Sequence, residues 1–137
     1  MNKKQLRAVP QVASGRIRVP ENAKPTPNQL RPKFSLEYLQ KSHCLSLCEK
    51  DEKVALIERM YELSQLTWQQ IQQAHRHGQG HEIIDRSSIK PHMPSAITED
   101  VKILSFRFCG KAPMVGFRRD EVFYIVWLDR AFDVYQH

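Results

Sequence analysis

The sequence predicts an α+β domain, a helix pair packed on one face of a small antiparallel sheet, behind a disordered basic N-terminal arm. Three observations lead there. Apolar residues recur at helical spacing after Asp51, three runs of period two follow between Val101 and Arg130, and the first 33 residues carry neither period. At 137 residues and 41% apolar content, the chain suits one domain with one modest core.

The arm comes first. Residues 1–33 hold eight Lys/Arg against one acid, Glu21, a net of +7, while residues 34–137 hold 13 bases and 14 acids, a net of −1. The basicity therefore belongs to the arm. Five of the eight prolines lie there too, and a Pro-punctuated polar segment buries too little apolar surface to offset its ordering entropy. Such an arm serves as a solubilising extension or as a basic contact for phosphate or an acidic partner. Its opening, "MNKKQLRAVPQVASGRIRVP", lacks the apolar stretch of a secretory signal, and no run of apolar residues is long enough to span a membrane. Three cysteines, Cys44, Cys48 and Cys109, form no disulfide framework, so reduced thiols and a cytoplasmic location are expected.

The body, residues 34–137, reads as a single domain. "HCLSLC" alternates in the manner of a short strand, although Ser46 and Glu49 also fit a capping box at a helix start; the strand is the expectation. "DEKVALIERMYELSQ" then places Leu56, Met60 and Leu63, flanked by Val54 and Ile57, on one helical face. In "LTWQQIQQAHRHG", Thr67 and Gln70 form a second capping box, Leu66 and Ile71 a hydrophobic staple, and Gly78 a stop. A connector rich in polar residues follows, with a short strand at Glu82 to Asp85. "VKILSFRF", "KAPMVGFR" and "EVFYIVWLDR" make a three-stranded meander joined by tight hairpins. Strict alternation puts Phe123, Ile125 and Trp127 on one face of the last strand and Val122, Tyr124 and Val126 on the other, which suits an inner strand covered on both sides.

This order of elements, together with "FRFCGKAPMVGFRRDEVFYIVWLDRAFDVYQH", resembles the RelE/ParE superfamily of toxins from bacterial toxin–antitoxin systems. The resemblance covers residues 34–137. It implies an mRNA endonuclease that inhibits translation without metal or other cofactor. The implied partners are RNA, free or on the ribosome, and a cognate antitoxin protein, with no membrane. Arg107, Lys111, Arg118, Tyr135 and His137 are the positions matching the basic strand residues and the Tyr or His near the C-terminus of the RelE branch. Arg119, Arg130 and Arg76 are the further RNA-binding candidates. The near-neutral body departs from that branch, whose nucleases are usually strongly basic.

Metal-free RNA cleavage needs a base for the 2′-hydroxyl, an acid for the leaving oxygen and cations for the developing phosphorane charge. His titrates near neutrality, Arg supplies a planar fork for phosphate, and Tyr can orient or stack a nucleotide. Strand parity sets Arg107 beside Ser105 and Arg118 beside Gly116, the less bulky set in each run, so both are expected on an open sheet face. Phe132 and Val134 would dock the tail and aim Tyr135 and His137, with the same residues equally open to a solvated face and a frayed end.

Other readings are also open. A gyrase-inhibiting ParE-type toxin or a small nucleic-acid-binding regulator would dispense with Tyr135 and His137. An antitoxin or operator-binding module would instead need a recognition helix; "LTWQQIQQAHRH" is the only candidate, and with Arg76 its only Lys/Arg it is poorly supplied for phosphate contact. His75, His77, His81 and His92 could supply imidazoles to a metal, but no acid or cysteine stands at a ligand spacing, so basic residues at a helix end are favoured. Cys44 and Cys48 are read as a reduced core pair.

Overall fold

A computed structural model describes residues 24–74 and 81–136. The fold is α+β. Its sheet has five strands in the order β1-β5-β4-β3-β2: β1 (Lys33–Ser35), β2 (Glu82–Ile84), β3 (Ile103–Cys109), β4 (Ala112–Arg119) and β5 (Val122–Leu128). Two helices, α1 (Lys50–Ser64) and α2 (Trp68–Gln73), lie between β1 and β2 in sequence.

The meander forms as its periodicity requires, with tight turns at Gly110 and Asp120, both at positive φ (57° and 56°). The sheet is nevertheless larger than expected, and mixed. β1 pairs with β5 in parallel, Phe34 opposite Phe123, so the sheet is not wholly antiparallel. No hairpin joins the first strand to the last, so no turn dictates their relative direction. "HCLSLC" is not a strand either: Lys41–His43 and Leu45–Leu47 are single 3₁₀ turns, and Cys48 is buried beneath the helices. Alternation over six residues is too short to outweigh the turn geometry that leads into α1.

Local signals set the helix starts. The Thr67 hydroxyl accepts from Gln70 N–H at 3.1 Å while the Gln70 side chain accepts from Thr67 N–H at 2.9 Å, closing the expected box. α1 has an analogous box between Glu49 and Glu52. Its inner face buries Leu56 and Leu63, with Met60 partly covered, while Val54 and Ile57 stay exposed.

Both faces of the sheet are covered. On one, α1 and α2 bury Leu56, Leu63, Trp68 and Ile71 against Phe106, Met114, Phe123 and Ile125. On the other, the segment around Ile89–Val101 and the tail after Leu128 close over Ile103, Val115, Phe117 and Trp127. A bulge decides where Trp127 points. Val115 pairs with Trp127 but Gly116 pairs with Ile125, so Val126 and Trp127 both join the tail-side core, whereas strict alternation predicted Trp127 with Phe123 and Ile125. Next to the bulge, a Cβ on Gly116 would sit 1.8 Å from the Tyr124 carbonyl oxygen, so only glycine fits this approach.

Part of the segment read as arm packs on the body. Pro27–Gln29 form a 3₁₀ turn, and the Trp68 N–H donates to the Leu30 carbonyl at 3.0 Å.

Candidate functional site: a cationic cleft beside Trp68

Arg118 leaves β4 opposite Phe123, on the helix face of the sheet. Its guanidinium lies over the Trp68 ring, 4.2 Å from the centroid, a cation–π contact made possible because the Thr67 cap starts α2 at this point. Nε donates to the Asp120 carbonyl at 2.6 Å and Nη2 to the Asn28 side-chain oxygen at 2.7 Å. The hairpin turn and the Pro27 turn thus clamp the guanidinium from both sides. Both hydrogen-bond acceptors are neutral, and among the described residues Arg118 forms no ion pair. Burial pulls its pKa below the ordinary arginine value, and the nearby Asp120 carboxylate opposes that shift.

This guanidinium lines an open cleft of about 490 Å³. Lys102, Arg119 and His81 bring further positive or titratable groups to it; Gln72, Asn28, Asp100 and Asp120 bring hydrogen-bonding groups. Arg119 is steadied at the rim by a 3.1 Å bond to the Thr98 hydroxyl. Asp100 is held below the ordinary carboxylate pKa, first by its bond from the Thr98 hydroxyl and further by Arg119. The cleft can therefore seat an anion on a fixed planar fork and read neighbouring polar groups.

The other expected residues lie elsewhere. Arg107 pairs with Pro113 and shares the side of Ser105, on the tail face, whereas Arg118 is on the helix face. Five residues of β4 also separate their levels, roughly 17 Å at ~3.4 Å per residue. The two arginines do not converge on one cleft, because the less bulky positions of adjacent strands belong to opposite faces in this register. The face expected to be open is in fact closed by the tail. Lys111 is exposed at the β3–β4 turn, at Arg107's end of the sheet. Arg130 pins the tail to the start of α1, Nε to Glu52 at 2.6 Å and Nη2 to Glu49 at 3.9 Å. Glu52 is held below the usual carboxylate pKa, chiefly by the Glu49 N–H and then by Arg130.

Tyr135 is buried at 5% exposure, with its hydroxyl directed at Ser105 Oγ (3.3 Å) and Glu82 Oε1 (3.5 Å). Burial raises its pKa, with the Glu82 and Asp129 charges adding and the Ser105 bond opposing. It is a packing residue on the face away from the cleft. His137 and Arg76 lie outside the described residues, as do His75, His77 and the Gly78 stop.

Sequence reasoning missed the interactions that fasten the tail. Asp129, fully buried, accepts the N–H groups of Asp133 (2.8 Å) and Val134 (3.2 Å) and so folds the chain back after β5. His43 Nε2 meets Asp133 Oδ1 at 2.7 Å, and its Nδ1 meets Ser42 Oγ at 2.8 Å. His43, Asp129 and Asp133 offer ligand atoms within 4.8 Å of one another, the one such metal-capable group among the described residues. The contacts just named account for these residues as a tail lock. His43 and Asp133 are ninety residues apart in sequence, so no spacing pattern could reveal that pair; the Asp129 bonds span only four and five residues. The Trp68–Arg118 stack is hidden for the same reason, although the capping box does place Trp68 at the first turn of α2.

No family model matches the chain, and no curated protein or solved structure was found to be similar to it. Among the described residues no helix is long and apolar enough to cross a membrane.

Proposed function

We propose that the protein binds RNA, seating a backbone phosphate on Arg118 in the cleft beside Trp68. The observation that carries this reading is a half-buried guanidinium, clamped flat by an aromatic ring and two neutral oxygens, with Lys102 and Arg119 at the same opening. A fixed fork loses little freedom on binding and matches two phosphate oxygens at once. Polar groups around it suit single-stranded RNA, whose unpaired base edges are accessible.

The mRNA-cleaving, translation-inhibiting toxin implied by the RelE/ParE resemblance is a second reading, with the chemistry moved to this cleft. His81 lines the cleft with Lys102, and the pair would supply a titratable group and a charge beside the bound phosphate. Tyr135 has no part in that version.

Fluorescence anisotropy with a labelled single-stranded RNA tests the binding claim. Arg118→Gln should weaken binding about 10- to 100-fold, the equivalent of one charge-assisted contact, and Lys102→Gln should flatten the dependence of log K on log salt by ~0.7. Lys102 is exposed, so its variant is expected to keep the wild-type unfolding midpoint. Unchanged affinity in both variants would remove RNA from this cleft. For the second reading, induced expression in bacteria with growth and mRNA integrity followed together should show arrest with cleavage, lost in His81→Gln.

A further inference from the structure

α1 is apolar on two sides. Its inner side buries Leu56 and Leu63, as packing on the sheet requires, yet three of the seven exposed large hydrophobic residues stand in one row on the opposite side: Val54 (53% exposed), Ile57 (62%) and Tyr61 (66%). Among the described residues nothing covers that row. With Lys50 before it and Ser64 after it, the row repeats at intervals of four, three, four and three residues, the spacing of a seam between two paired helices.

The flanks of the seam carry charges. Lys53 lies on one flank and Glu58 on the other, about 140° apart around the helix, so the two cannot reach each other within one chain. Both are exposed, and neither forms an ion pair among the described residues.

We propose that the outer side of α1 is a self-association surface, on which two copies of the chain pair their α1 helices side by side in the same direction. A two-fold axis along the helices sets opposite flanks together, so Lys53 of each copy meets Glu58 of the other, five positions on, at both edges of a seam of Val54, Ile57 and Tyr61. The reverse direction is disfavoured. It sets each flank against its own copy and brings the two Glu58 carboxylates together beside Ile57, where like charges repel. Self-complementarity is what favours a second copy over an unlike partner, since one stripe supplies both charges that its edges need. The surface is small, three apolar side chains per copy, so pairing belongs at the weak end of specific association, roughly 10 µM to 1 mM. It uses no residue of the Arg118 cleft.

Sedimentation equilibrium of the full chain across that concentration range tests the pairing. Wild type should move from monomer toward dimer, and Ile57→Asp should weaken dimerisation at least ~100-fold, because each dimer loses two apolar contacts and must cover two carboxylates. Ile57 is exposed in the single chain, so the unfolding midpoint of the dilute variant should stay at the wild-type value. The charges report direction. Glu58→Lys should weaken association roughly 10-fold, and the double exchange Lys53→Glu with Glu58→Lys should return it to the wild-type level. A wild type that is monomeric throughout overturns the proposal, and this is the result expected if another segment or an unlike protein covers the stripe. Dimers unaffected by Ile57→Asp place self-association elsewhere and overturn it too, and a double exchange that fails to restore pairing overturns the parallel arrangement.

Discussion

The two faces of the sheet are built from the same three long strands yet serve different ends. The tail face is closed: Val134 and Tyr135 complete its core, Asp129 folds the tail back by accepting two backbone N–H groups, and Lys90 N–H donates to the Val134 carbonyl at 2.8 Å. Its polar groups are turned inward, and those of Asp129, Tyr135 and Ser105 are bonded there. The helix face is packed only as far as Trp68, beyond which the sheet ends in a cleft with Arg118 held ready and neutrally partnered. What distinguishes structure from candidate function is the partner each polar group has. Tyr135 and Arg130 look reactive in the sequence, but a buried hydroxyl network and a carboxylate occupy them.

That contrast breaks if the tail face proves dispensable to the fold. Trp127→Ala should lose ~3–5 kcal/mol, as is usual for emptying a large buried aromatic site, read by chemical denaturation. Trp127 is fully buried on the tail side. A midpoint equal to wild type would mean that this face is not a core. Asp129→Ala should cost about 2–4 kcal/mol, because it strands two N–H groups that now bond to a carboxylate. RNA affinity of the folded fraction should stay at the wild-type value, since Asp129 lies across the sheet from the cleft; a matched loss of affinity would link the two faces.

A smaller change sharpens the helix side. A chain starting at Lys33 removes the Asn28 and Leu30 acceptors and should lose about 1–2 kcal/mol of stability, together with most RNA affinity. A start at Lys24 should leave the thermal midpoint in place. If the Lys33 chain melts like wild type, the Thr26–Leu30 segment does not belong to the folded unit.

The smallest effect comes from the exposed His43–Asp133 pair. Asp133 has its pKa depressed from 3.8, first by the hydrogen bond to His43. A depressed folded-state carboxylate adds stability that is present above 3.8 and disappears as pH falls through the lower folded value. Asp133→Asn should therefore narrow the stability gap between pH 6 and pH 3 slightly, less so in high salt, since the Asp133 side chain is 60% exposed. An identical pH profile would dismiss the pair as a contributor.

Some of this was legible in residues alone. Period two in "VKILSFRF", "KAPMVGFR" and "EVFYIVWL" gave the meander, and the Thr67–Gln70 box gave the start of α2, because alternation and capping are local: neighbouring residues fix them whatever the rest of the chain does. The charge split at residue 33 is likewise a property of the sequence, whatever the fold. Tertiary structure decided the rest. The parallel pairing of Phe34 with Phe123, the bulge that turns Trp127 to the tail side, and the register that sends Arg107 and Arg118 to opposite faces all depend on how distant strands align. A one-residue offset reverses the face of a strand residue, and sequence carries no local mark of that offset. Whether an arginine is a clamp or a strut followed from the same alignment, since it was the partner brought across the fold, Trp68 and Asn28 for Arg118, Glu52 for Arg130, that fixed what each could do.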